Sequence, residues 1–160
     1  MAGVLQKFCK HLEHLCAQRI PSKWLHSIKK AITVTSGNAS IGGCSFGAGL
    51  ASSVDYAAPA HVDDDFFVSF HQINVEGCFW NSEIAQYFCF PSCGFAVGLC
   101  PGHVLLFNPQ VHHSLFKKSD NYLNDRVHVS TLYIKTAHVS KNDTSLPLTT
   151  EEQEYYSINF

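Results

Sequence analysis

Charge is what this chain has least of. Asp, Glu, Lys and Arg supply only 15% of its 160 residues, while aliphatic, aromatic and cysteine residues supply 46%, an ordinary apolar share that fits one packed domain with a sizeable core. No apolar run reaches membrane-spanning length, because Gly, Pro and polar residues interrupt each one, so no transmembrane helix is expected. The N-terminus lacks the long apolar stretch of a secretory signal. The seven cysteines are odd in number and scattered, and no second pair joins Cys89 and Cys93 at zinc-finger spacing. Free, buried thiols in a reducing intracellular compartment, cytoplasm or nucleus, are the expectation. There is no internal repeat.

What charge there is lies unevenly. Residues 1–30 hold Lys7, Lys10, Arg19, Lys23, Lys29 and Lys30 against Glu13 alone, a net +5, and the remainder holds five basic and twelve acidic residues, a net −7. A basic segment of this kind can grip a polyanion such as DNA or RNA, or can simply be a solvated helix face.

The same segment is helical by pattern. Val4, Leu5, Phe8, Leu12 and Leu15 recur at helical spacing over 3–19, an apolar stripe that must be buried somewhere. Pro21-Ser22 breaks this helix and starts a second, carried on by Trp24, Leu25, Ile28 and Ile32. Five glycines between 37 and 49 then mark turns or a loop. Beyond Ser52 the texture is β, with candidate strands at 52–57, 60–63, 66–73, 86–90, 94–98, 103–107 and 126–136. In the last of these, Val127, Val129, Thr131 and Tyr133 share one face, while Arg126, His128, Ser130 and Leu132 share the other. Many short strands separated by turns predict a sandwich or closed barrel. The expected organisation is an α+β chain, mainly β: an N-terminal helical segment over 1–33, a β domain over 34–140, and a polar, acidic tail over 141–160.

Chemistry concentrates at His61-Val62-Asp63. Strand alternation turns His61 and Asp63 to one side and Val62 to the other, so an imidazole and a carboxylate can take adjacent positions on a metal. A second histidine would complete a 2-His-1-carboxylate face and leave the opposite positions open, as non-haem iron(II) oxygenases require. The stretch Pro101 to His113 offers one: a turn, an apolar strand, then an Asn-Pro turn delivering His112 and His113. Adjacent residues point opposite ways, so only one of the two can face the ion.

These residues resemble the iron(II)- and 2-oxoglutarate-dependent dioxygenase superfamily. Val54-Asp55-Tyr56-Ala57-Ala58-Pro59-Ala60-His61-Val62-Asp63 is similar to the first-ligand strand of its TET/JBP group, which oxidises the 5-methyl group of pyrimidines in DNA. The Pro-Gly…Leu-Phe-Asn-Pro…His stretch resembles the superfamily's distal-ligand strand, where the ligand lies six residues past the Phe. That spacing prefers His113. The resemblance covers roughly 52–136 and implies a double-stranded β-helix, a jelly-roll or cupin-like barrel packed against one or two helices. It implies iron(II), 2-oxoglutarate and dioxygen as cofactor and cosubstrates, and His61, Asp63 and His113 as metal ligands and catalytic residues. Phe66, Phe67, Phe70 and Trp80 could wall the pocket. The superfamily's last strand carries an Arg or Lys for the distal carboxylate of 2-oxoglutarate. Here His128-Val-Ser130 falls where the TET-like group has Arg-x-Ser, so Arg126, His128 and Ser130 become the expected cosubstrate contacts, with Lys135 on the opposite face.

Three functions compete. One is a hydroxylase acting on a methylated pyrimidine in nucleic acid, gripped by the basic segment. Another is a hydroxylase of proteins or small molecules. The last is a non-catalytic β-barrel binding module, favoured by the departure at His128. A monomer with no membrane partner is expected in each case.

Overall fold

The computed structural model describes residues 2–22, 25–26, 49–65, 69–78 and 81–135. The chain divides into two compact units, Met1–Phe46 with Ala137–Phe160, and Gly47–Thr136. Of the first, helix α1 spans Ala2–Arg19, close to the expected 3–19. Its stripe includes Leu12 and Cys16, both buried, while Lys7, Lys10, His11, His14 and Arg19 are exposed. Burial, aided by the Glu13 charge, pushes the Cys16 thiol up to about 11. Most of the second expected helix, most of the glycine-rich stretch and the tail lie outside the described residues, as do Phe66, Phe67 and Trp80.

The described residues of the second unit are mainly β, with two single 3-10 turns at Pro91–Cys93 and Asp120–Tyr122. Its strands are β1 (Gly49–Val54), β2 (Ala58–His61), β3 (Ser69–Val75), β4 (Gln86–Phe90), β5 (Phe95–Leu99), β6 (Val104–Phe107), β7 (His113–Leu115) and β8 (Val127–Tyr133). They form two four-stranded antiparallel sheets, ordered β1-β8-β3-β6 and β2-β7-β4-β5. The pairing is nested: β4 with β5, β3 with β6, β2 with β7, β1 with β8. Each successive pair encloses the last and lies in the other sheet, so the chain is one long hairpin folded back and forth.

Local chemistry sets the turns. The innermost hairpin reverses through Pro91–Cys93 and Gly94, whose φ of 72° suits glycine. Cys100-Pro101-Gly102-His103 closes with a 3.0 Å bond from the His103 N–H to the Cys100 carbonyl, and Gly102 takes φ 85°, the sign a type II turn demands at its third position. Ile73, Val75, Val127 and Val129 from one sheet meet Phe88, Phe90, Leu99 and Leu115 from the other in a shared core. Phe88 and Phe107 cross between the sheets with ring centroids 4.7 Å apart.

The alternation expected on β8 is observed. Val127 and Val129 face the core, while Arg126 is exposed and His128 is only half-buried. One strand went unforeseen: β7, three residues long and too short to show a period, begins at His113 itself.

Candidate metal centre

His61 closes β2 and His113 opens β7, and the two are direct partners across the ladder. The register slips between Ala58 and His61: three steps on β2 match two on β7, from Leu115 to His113. Strict alternation would put Ala58 and His61 on opposite faces. The extra residue turns both inward while Pro59 and Ala60 stay exposed, as bulges commonly re-aim a side chain. Asp63 lies two residues past the strand, tied by its N–H to the Pro109 carbonyl at 2.9 Å.

The three side chains converge. His61 Nε2 lies 3.7 Å from Asp63 Oδ1, and His113 Nε2 lies 3.4 Å from Oδ2. Their prospective ligand atoms all fall within 4.8 Å of one another. Ligands about 2.1 Å from a common ion stand roughly 3.0–3.4 Å apart, so small side-chain rotations bring all three onto one cation. This set could hold a metal ion. His112 is exposed and does not belong to it.

The outer nitrogens show which atoms are free. His61 Nδ1 donates to the Pro59 carbonyl at 2.7 Å and His113 Nδ1 to the Val111 carbonyl at 2.8 Å. A carbonyl only accepts, so each Nδ1 carries the proton. A cation placed among the three side chains would take the Nε2 lone pairs of the two rings in their neutral form together with the Asp63 carboxylate. Backbone carbonyls holding the far nitrogen are the usual support of a metal-bound histidine. His113 is further fixed by Phe88, stacked at 5.4 Å and 10°, and by Phe107 edge-on at 4.9 Å.

These ligands line a cavity of about 370 Å³ between the sheets, within the range of small-molecule sites. Its other wall carries His71 from β3, Thr131 and Tyr133 from β8, and Asp65 and Lys135 beyond the strands. Lys135 Nζ lies 2.5 Å from Asp65 Oδ1, and that carboxylate holds the ammonium above the usual lysine range. Burial, with the His113 charge second, pushes His71 down to about 4.

Arg126, His128 and Ser130 are absent from the cavity wall. The strand's own alternation accounts for it: Val127 and Val129 turn inward, so Thr131, Tyr133 and Lys135 follow them in, with no bulge needed. The parity was readable in the sequence, and the pair of valines was the signal for the inward face. Asp65 and His71 were missed altogether; neither sits in a motif, and only the folded sheet brings them to the cavity. Phe70, offered as a pocket wall, is buried but does not line the cavity, whereas Phe88 and Phe107 do.

A scan of protein-family models finds no match to this chain, and a search of curated proteins finds none either.

Proposed function

We propose that this protein is a non-haem iron(II)-dependent dioxygenase that hydroxylates a C–H bond at the expense of a 2-oxo acid. The observation that carries the reading is the convergence of His61 Nε2, His113 Nε2 and the Asp63 carboxylate, with both Nδ1 atoms held by backbone carbonyls. Two imidazoles and one carboxylate leave half of an octahedral ion's positions free, the pattern of such oxygenases. The nested pairing of eight strands in two alternating sheets supports a double-stranded β-helix, with the first ligands at the end of β2 and the last at the start of β7.

Bound there, ferrous iron supplies the redox chemistry by which dioxygen and a 2-oxo acid yield carbon dioxide, the shortened carboxylate and a hydroxylated substrate, one oxygen atom going to each of the last two. The chain's residues do the rest. His61, Asp63 and His113 fix the ion at the cavity wall. Phe88 and Phe107 keep the His113 ring in place and exclude water from its inner side. The opposite wall receives the remote end of the 2-oxo acid. The resemblance implies 2-oxoglutarate, and Lys135, not Arg126, is the cation on that wall. For the nucleic-acid reading, the exposed Lys7, Lys10 and Arg19 of α1 would supply phosphate contacts.

The test is anaerobic titration with iron(II), followed by a 2-oxo acid while watching for the visible charge-transfer band of the chelate. One ion per chain and a new band are expected. No metal uptake by the unmodified chain overturns the reading.

A further inference from the structure

The wall opposite the ligands carries little charge to spare. Lys135 is the one lysine or arginine on the cavity among the described residues. Its ammonium is engaged by Asp65 at 2.5 Å and lies 5.0 Å from the Tyr133 ring centroid. Asp65 is buried and, among the described residues, has besides only a long 3.4 Å bond from the Ser69 hydroxyl. Drawing Lys135 away would strand that carboxylate inside the protein, the costly way to break such a pair. Sharing Lys135 with a ligand carboxylate would set two negative charges against one positive.

His71 is a buried group on this wall with a hydrogen bond left to make. It is 4% exposed, its Nδ1 lies 3.0 Å from the Thr131 hydroxyl, and its Nε2 has no partner. Its depressed basicity keeps the ring uncharged at neutral pH. Where the Thr131 hydroxyl donates into Nδ1, the proton sits on Nε2, which is then a buried neutral donor that calls for an acceptor. On the other wall, a divalent ion held by two neutral imidazoles and Asp63 keeps a net charge of +1. One carboxylate of a chelating 2-oxo acid cancels it, and a second finds no free counter-charge.

We infer, building on the metal-centre reading, that the cosubstrate is a 2-oxo monocarboxylate whose remote end is an uncharged hydrogen-bond acceptor received by His71 Nε2, and that the Asp65–Lys135 pair selects against a second carboxylate. This departs from the 2-oxoglutarate that the resemblance implies.

The test compares 2-oxoglutarate with its 5-methyl ester, which keeps the carbon backbone, removes one charge and adds one methyl group, by calorimetric titration into the full chain loaded with redox-inert zinc(II). The ester is expected to bind at least about tenfold tighter, since one decade in affinity is the least that one unmatched buried charge should cost. His71→Phe should weaken the ester about tenfold and leave zinc affinity unchanged. Asp65→Asn, which releases Lys135, should bring 2-oxoglutarate level with the ester or past it. Thr131→Val gives a milder loss of ester affinity and serves if His71→Phe does not fold. Tighter binding of 2-oxoglutarate by the unmodified chain, or ester binding indifferent to both His71→Phe and Thr131→Val, overturns the inference. If neither ligand binds the zinc-loaded chain, the inference falls and the metal centre stands. If zinc itself does not bind, the metal centre falls first.

Discussion

His61 stands directly across the β2–β7 ladder from His113, with ring centroids 4.5 Å apart. The two are separated by 113 − 61 = 52 residues of chain, and the ladder alone brings them together. With Asp63 between their Nε2 atoms, the site is a property of one strand pairing.

Removing one side of that pairing should remove the ion. His113→Ala is expected to abolish stoichiometric iron(II) or zinc(II) binding, while His112→Ala, at an exposed position, leaves it near the unmodified value. Equilibrium dialysis with metal analysis decides this. Loss in the second variant and retention in the first would refute the assignment.

An ion that binds only the folded chain must also stabilise it. At a free concentration a hundredfold above the dissociation constant, the gain is about 2.7 kcal/mol. Thermal unfolding should shift upward by several degrees on adding zinc(II) and return on chelation. The shift should be absent in Asp63→Ala.

Phe88 joins the core to the centre, being 2% exposed and stacked on His113. Phe88→Ala should cost about 3–5 kcal/mol of stability, measured by urea unfolding. Phe88→Leu should keep most of the stability and weaken metal binding, because the imidazole loses the flat surface that holds its orientation.

Two groups give the protein an acid limb. His71 falls from its ordinary 6.5 to about 4 in the fold, so the unfolded chain takes up its proton first. Its contribution is fully present above pH 6.5 and is lost as pH drops toward 4, an effect of up to about 3 kcal/mol. Asp55 is held below the usual carboxylate range, first by the Val127 N–H and then by Lys118. Its contribution is present above the unfolded carboxyl value and is lost on further acidification. Stability measured from pH 7 to 4 should fall in the unmodified chain and stay flatter in His71→Phe, while Asp55→Asn should change only the limb below about pH 4.

If α1 grips phosphate, binding to a short DNA duplex should weaken steeply with salt, and Lys7→Glu with Lys10→Glu should both weaken it and flatten the salt slope. Binding that is indifferent to salt would favour a protein or small-molecule substrate.

Patterns confined to a few neighbours were legible in the sequence. The stripe of α1, the Pro101-Gly102 turn and the alternation of β8 are local, and each is where it was expected. The shared side of His61 and Asp63 was legible too, although the bulge just before them was not. What sequence could not supply was pairing. β7 is a strand because β2 and β4 flank it, not because Ser114 and Leu115 favour one. His112 and His113 differ only in which way that strand turns them. Arg126, His128 and Ser130, named from the resemblance, do not line the cavity, because the burial of Val127 and Val129 fixes the inward face. Asp65 reaches Lys135 across seventy residues of chain (135 − 65), a distance over which no local rule operates.

Nesting also dictates an order of events. The β4–β5 hairpin closes over a short turn, whereas the His61–His113 rung of β2 and β7 needs everything from Val62 to His112 to be gathered first, and long closures are slow. The three side chains that could hold an ion are therefore expected to converge late during folding. A metal held there would act as a latch on a finished structure, retarding escape from the native state far more than it hastens arrival.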